Sequence, residues 1–120
     1  GFRAKYLIQA AKVLSANKNI EQELMLKTEQ DARQELLKFN GIGDKVADCI
    51  LTFALGFYTV TPIDIWAQRV LLEFYNLNIK FKYSELRKWY FDYFGEHTAY
   101  AGQFLFEYLR ENYKSIKKVT

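Results

Sequence analysis

Apolar residues recur along this chain at three- and four-residue intervals, the period of a helix with one buried face. Tyr6, Leu7, Ala10, Ala11 and Leu14 lay out the first such face and predict a helix over residues 3–15, which the polar stretch Asn17 to Asn19 ends. A shorter helical segment is expected over residues 20–26. Thr28-Glu29-Gln30-Asp31 then offers a cap for a helix reaching about Phe39, since a threonine oxygen can accept from amides of the first turn. Asn40-Gly41-Ile42-Gly43 breaks the pattern as a tight turn. A very apolar helix follows from Asp44 to about Leu55, and residues 56–61 connect it onward. Pro62 suits the first turn of the next helix, to about Tyr75. Ser84 is a candidate cap for a helix to Phe94. The last helix is expected over residues 98–116, with Lys114, Lys117 and Lys118 near its end, where they suit the dipole. Strand signals are poor, and no internal repeat or low-complexity segment interrupts the pattern. The expected fold class is therefore all-α, a helical bundle forming one domain over residues 1–120.

Composition narrows the chemistry. Half of the residues are hydrophobic and 18% are aromatic, which suits a folded core. Seventeen basic against fourteen acidic residues give a net charge of +3, which permits nucleic-acid binding without demanding it. Cys49 is the only cysteine, so an internal disulfide framework and a four-cysteine zinc or iron–sulfur site are excluded. His97 is the only histidine, which excludes a multi-histidine metal site. No apolar run reaches membrane-spanning length, and no secretory signal pattern opens the chain. An intracellular location and no membrane partner are expected. The chain has no initiating Met and opens directly in helical pattern at Gly1-Phe2-Arg3-Ala4-Lys5-Tyr6, as expected of a segment from something larger.

The centre of the sequence is Leu36-Leu37-Lys38-Phe39-Asn40-Gly41-Ile42-Gly43-Asp44-Lys45-Val46-Ala47-Asp48. A helix, a Gly-x-Gly turn and a second helix follow one another here. Two glycines allow positive φ and close approach of another backbone. The amides that open the second helix lack acceptors within it, so they can hold a phosphate without reading base sequence. The plain alternative is a helix–helix turn capped by glycine. Lys45 lies just inside the second helix, and Asp64 lies nineteen residues further on, after Pro62. With the two helices side by side, both N-terminal ends would face one cleft. An amine in a poorly solvated or electropositive site can act as a nucleophile. An aspartate near a helix N-terminus is held ionised by the dipole, and it can stabilise positive charge growing at a sugar carbon. Taken singly, a solvated surface lysine and an ordinary helix-opening aspartate are the simpler readings.

Gly41-Ile42-Gly43-Asp44-Lys45-Val46-Ala47-Asp48-Cys49-Ile50, followed by Thr61-Pro62-Ile63-Asp64-Ile65-Trp66, closely resembles the 8-oxoguanine DNA glycosylases of the helix-hairpin-helix superfamily. Gly1 to Tyr6, Tyr93-Phe94-Gly95-Glu96, Leu105-Phe106-Glu107-Tyr108 and Arg110-Glu111-Asn112 extend the resemblance over nearly the whole chain. The resemblance implies a helix-hairpin-helix motif followed by a catalytic aspartate loop, in the C-terminal portion of a longer glycosylase. It implies a bifunctional enzyme of base excision repair: Lys45 attacks C1′, expels the base, forms a Schiff base and leads to strand nicking by β-elimination, with Asp64 assisting at the sugar. By the same resemblance, Gly41, Gly43 and Val46 hold a phosphate. Carbonyls of Leu37, Phe39 and Ile42 coordinate a structural monovalent or divalent cation. Cys49 and Phe106 sandwich the extruded base, and Phe2 and Arg3 form the wedge at the opposite base. No other cofactor and no iron–sulfur cluster are implied. The expected partner is double-stranded DNA containing oxidised guanine, bound by a monomer together with the missing upstream part of the same protein. The expected location is the cytoplasm and nucleoid of a prokaryote, or a eukaryotic nucleus.

The sequence departs from the pattern at three points. Asn40 stands where relatives often carry Pro, and it suits a turn equally well. Trp66 stands where some relatives carry a phosphate-binding His, and an indole brings no charge. Gly102 stands where relatives place a Gln that reads the base edge, and the neighbouring Gln103 is the candidate substitute in the base pocket. Two other readings compete. Relatives that excise oxidised pyrimidines share the Lys and Asp, but many carry an iron–sulfur cluster that one cysteine cannot hold. A non-catalytic helix-hairpin-helix DNA-binding module would need neither Lys45 nor Asp64.

Overall fold

The structure is a computed structural model that describes residues 1–77 and 80–119, with side chains described to residue 116. Lys117 and Lys118, expected to complement the last helix's dipole, thus have side chains outside the described residues. The described residues are helical and contain no strand, as the periodicity predicts. They fall into two compact units, residues 1–57 and 58–120.

In the first unit, α1 spans Ala4–Ala16, α2 Ile20–Met25, α3 Glu29–Leu37 and α4 Asp44–Cys49. Thr28 caps α3 as expected, its hydroxyl accepting the Asp31 amide at 3.1 Å. The apolar helix predicted from Asp44 to about Leu55 divides instead. After Cys49 it widens into a π-helical turn, Ile50–Ala54, where the Leu55 amide reaches back five residues to the Ile50 carbonyl. Gly56 (φ +74) then ends it, and the Phe57 amide bonds the Leu51 carbonyl at 2.9 Å. Leu24, Ala32, Leu36, Ala47, Leu51 and Leu55 form the core of this unit. The apolar face predicted for α1 is only partly used. Tyr6 and Ala10 are half-buried, whereas Leu7, Ile8, Val13 and Leu14 are exposed.

One polar contact ties α3 to α4. Arg33 is 3% exposed and Asp48 is fully buried, and the Arg33 Nε donates to Asp48 Oδ1 at 2.9 Å. The rest of the guanidinium donates to Gln30 and Glu29, each at 3.0 Å. Burial works against the arginine's charge, but Asp48 and Glu29 outweigh it and hold Arg33 above its usual pKa. The pair is therefore fully ionised at any ordinary pH.

In the second unit, α5 spans Ile65–Tyr75, α6 Tyr83–Phe94 and α7 Thr98–Val119, with a 3-10 turn Gly95–His97 between α6 and α7. Two predicted caps move. Pro62 lies outside α5, and Asp64 takes the N-cap position because its carboxylate accepts an amide of the first turn, which a proline ring cannot do. Ser84 lies inside α6, whose N-cap is Lys82. Glu85 reaches back to accept the Lys82 amide at 2.7 Å, so a glutamate serves where a serine was expected. Asn76 ends α5 in the left-handed conformation (φ +50). Ile63, Ala67, Leu71, Leu86 and Tyr90 form the core here, flanked by an aromatic group in which Trp89 stacks on Tyr93 at 4.9 Å.

Removing one member of the buried pair leaves the other charged and unpartnered. Arg33→Ala is expected to cost about 3–5 kcal/mol in urea unfolding. Replacing both residues with apolar ones of similar volume should recover most of that loss, and an Arg33→Ala chain as stable as wild type would contradict this role. A second expectation concerns alkali. Burial, with lesser help from Tyr75 and Asp64, raises the Tyr90 hydroxyl well above the ordinary phenol range. The folded state thus holds the proton more tightly than the unfolded one, so this stabilisation is complete below about pH 10 and is lost as pH rises beyond it. Tyr90→Phe should cost about 1 kcal/mol at pH 8 by losing its bond to the Ala67 carbonyl, and it should flatten the decline in unfolding free energy between pH 8 and 11.

Candidate functional site

Lys45 occupies the first turn of α4 and is exposed, as are Gly41, Gly43, Asp44 and Val46. The turn that delivers it, residues 38–43, is stitched by backbone bonds from Phe39 to the Leu36 carbonyl and from Ile42 to the Phe39 carbonyl. The two glycines differ. Gly41 has φ +86, and a Cβ there would lie 2.6 Å from the Tyr6 ring, so α1 rests directly on the turn. Gly43 has φ −100 and a Cβ on it would touch nothing within 4 Å. The expectation of positive φ thus holds for Gly41 alone. Gly43 is the N-cap of α4, and it leaves open space beside the first amides of that helix, which have no intrahelical acceptor. Such amides can donate to an anion.

Leu37, Phe39 and Ile42, the three expected carbonyl ligands, lie in or beside this turn, where the Phe39 carbonyl already accepts the Ile42 amide. Cys49 lies one turn beyond Lys45 on α4 and is half-buried. Phe2 and Arg3 precede α1. Phe2 is 75% exposed, and the Arg3 guanidinium rests over its ring at 5.5 Å. An open hollow of about 530 Å³ is lined by Gln9, Val13, Ile20, Lys38 and Phe39 among others and does not include Lys45.

In the second unit, Asp64 is half-buried and its Oδ1 accepts the Ala67 amide at 2.8 Å. Two tyrosines of α6 fix this helix start. Tyr83 accepts the Ile63 amide at 3.0 Å, and Tyr90 donates to the Ala67 carbonyl at 3.0 Å. The carboxylate is therefore held by its own cap and by anchors on both sides of it. On α7, Gln103 is exposed and Phe106 is half-buried, with Arg110 over the Phe106 ring at 5.5 Å. Gly102 has a packing reason to be small. A Cβ there would lie 2.2 Å from the Thr61 hydroxyl, three residues before Asp64. Lys45 with the glycine turn and Cys49 belong to the first unit; Asp64, Gln103 and Phe106 belong to the second.

The positioning residues were not singled out from the sequence. Asp48, a charge inside the apolar run Val46-Ala47-Asp48-Cys49-Ile50, was the available signal for a buried ion pair. Nothing local marked Tyr83 and Tyr90 among nine tyrosines.

No protein-family model matches the chain. Among curated proteins it is 30% identical over 115 residues to one named "Probable N-glycosylase/DNA lyase" of Methanothermobacter thermautotrophicus, covering 93% of this chain and 35% of that protein. It is 34% identical over 88 residues to the N-glycosylase/DNA lyase of Saccharomyces cerevisiae, covering 65% of this chain and 23% of that protein. Among solved structures it resembles the Clostridium acetobutylicum 8-oxoguanine glycosylase/lyase in complex with double-stranded DNA containing cytosine opposite 8-oxoguanine. The TM-score is 0.84 at 31% identity, over 93% of this chain and 38% of that one. A structure of MBOgg1 with a low affinity DNA ligand gives the same TM-score at 33% identity, over 92% and 38%. The chain thus spans about a third of the length of the proteins it matches.

The two glycines predict opposite responses. Gly41→Ala must bear both positive φ and the clash with Tyr6, and should lower stability by about 2 kcal/mol or more. Gly43→Ser meets extended backbone, open space and an N-cap position that favours serine, so its unfolding midpoint should match or exceed wild type. Equal losses in the two variants would contradict the geometry.

Proposed function

We propose that this chain, which matches 8-oxoguanine-type N-glycosylase/DNA lyases in sequence and fold, carries the catalytic pair of such an enzyme, with Lys45 as nucleophile and Asp64 as its carboxylate. The observation that carries the reading is that match over 93% of the chain, with Lys45 exposed at the opening of α4 and Asp64 fixed at the opening of α5. The substrate is oxidised guanine in double-stranded DNA, extruded from the stack before reaction.

The Lys45 amine attacks C1′ of the deoxyribose as the bond from C1′ to the base breaks and the base leaves with a proton. Asp64 offsets the positive charge that builds on the sugar and helps take the proton from the incoming amine. The sugar ring opens and the amine on C1′ becomes a Schiff base. Loss of a proton from C2′ then expels the 3′ phosphate and nicks the strand, and water releases Lys45 from the product. Capping bears on this role. One Asp64 oxygen accepts the Ala67 amide, which fixes the carboxylate and leaves the other oxygen to face the sugar.

Gly41, Gly43 and Val46 offer backbone amides to a phosphate near the lesion, with Gly43 leaving room for it. Cys49 and Phe106 serve as the faces of the base pocket, Gln103 reads the base edge, and Phe2 and Arg3 fill the gap in the stack. A monovalent or divalent cation fits the turn by donor type, because Leu37, Phe39 and Ile42 offer carbonyl oxygens. It would stiffen the loop that presents the amides, and the chemistry on the sugar needs no further cofactor. Acting on DNA, the protein works in the nucleoid or nucleus.

Borohydride trapping tests this directly. The intact protein, incubated with an 8-oxoguanine duplex and borohydride, should form a covalent adduct that Lys45→Gln abolishes. Asp64→Asn keeps an N-cap oxygen but loses the charge, so it should fold normally and react more slowly by roughly 10²-fold or more. A protein that gives no adduct on 8-oxoguanine or abasic DNA would overturn the reading.

A further inference from the structure

Arg69 lies in the middle of α5, and its guanidinium carbon is 4.7 Å from the centroid of the Trp66 ring and 4.8 Å from that of Tyr113 on α7. The two rings meet edge to face, 5.5 Å apart. The guanidinium therefore fills a corner between two aromatic surfaces. Such packing fixes the cation and covers its faces, yet it satisfies none of the five N–H donors, which lie in the guanidinium plane.

The other arginines set a contrast. Arg33 spends its donors on Asp48, Gln30 and Glu29, and Arg110 donates to Glu107. Among the described residues Arg69 has ring contacts alone, although Glu73 stands one turn on at a spacing that suits an ion pair. No Arg69 nitrogen is a buried atom lacking a partner, so the donor edge opens to solvent. An arginine made rigid by aromatic packing, with its fork turned outward, is pre-organised for two oxygens of one phosphate. Its position selects the phosphate. Asp64 opens the same helix five residues earlier, about 7.5 Å along the axis, so an anion on Arg69 lies close to the strand whose sugar Asp64 serves.

We infer that Arg69 is a DNA-backbone contact, clamping one phosphate of the bound strand while Trp66 and Tyr113 hold its guanidinium in place. This rests on the glycosylase reading above. It makes Trp66 a positioning residue, acting through Arg69 rather than on the DNA.

The test is binding of the intact protein to a duplex carrying a tetrahydrofuran abasic analogue, which is not cleaved, followed by fluorescence anisotropy across a salt series. Arg69→Gln should weaken binding by about tenfold near 0.1 M salt and reduce the slope of log K against log salt by about one. Arg110→Gln should leave the slope unchanged. Arg69→Lys keeps the charge but not the fork, so it should retain the slope and lose a few-fold in affinity. A role confined to tying α5 to α7 would lower the melting temperature of Arg69→Gln at an unchanged salt slope, and that result overturns the inference. Should Arg69→Gln not fold, wild-type affinity in Arg69→Lys overturns it instead. A wild-type protein that binds and traps on Lys45 while the slope ignores Arg69 defeats only this inference. One that neither binds nor traps defeats the glycosylase reading as well.

Discussion

The buried bridge between Arg33 and Asp48 is the constraint on which the Lys45 region depends. A helix of six residues does not hold itself together, because so few backbone bonds cannot offset the entropy of its first turn. The orientation of α4 must come from outside it. Ala47 and Leu51 supply an apolar contact, but apolar packing tolerates sliding. The Arg33 Nε meeting Asp48 at 2.9 Å, with both groups removed from water, does not. Shifting α4 along α3 would strand two charges, so the register of the helices is set by electrostatics. Gly41 serves the same end from the other side, since its missing Cβ lets Tyr6 of α1 lie against the turn. The lysine at the opening of α4 is thus presented from a fixed frame, although its own side chain is exposed.

Asp64 is positioned by a different device. Its helix is longer, and the aspartate caps it directly. The tyrosine hydroxyls of α6 then pin the residues on either side. The first unit holds its functional group with an ion pair, and the second with neutral hydrogen bonds from a buried aromatic core. The two arrangements should respond differently to solution conditions. The ion pair persists across ordinary pH, whereas the second unit carries a buried phenol that limits it in strong alkali.

Much of this was legible in the sequence, and the failures have physical causes. Helical periodicity placed α1, α2, α3, α6 and α7 to within a few residues, because each has a strong apolar stripe. The break after Cys49 was not legible, since a π-helical turn keeps the same apolar content while changing only the hydrogen-bond step. Pro62 and Ser84 were read as start signals from residue type, but caps depend on which oxygen reaches which amide, and Asp64 and Glu85 reached first. Of the candidate site, Lys45 and Asp64 stood out through their spacing from the glycine turn. Gly102, by contrast, appeared as an odd substitution until Thr61 was seen to occupy the space of its side chain. Arg69 was invisible, because its partners Trp66 and Tyr113 are far apart in sequence.

The measurement that bears most directly on this account is identification of the residue that becomes linked to DNA. The reduced adduct with an 8-oxoguanine duplex would be digested with protease and nuclease and the modified peptide sequenced by mass spectrometry. The account predicts a deoxyribose remnant on the Nζ of Lys45, in the peptide that opens α4. Modification of any other lysine, or of a chain terminus, would contradict it.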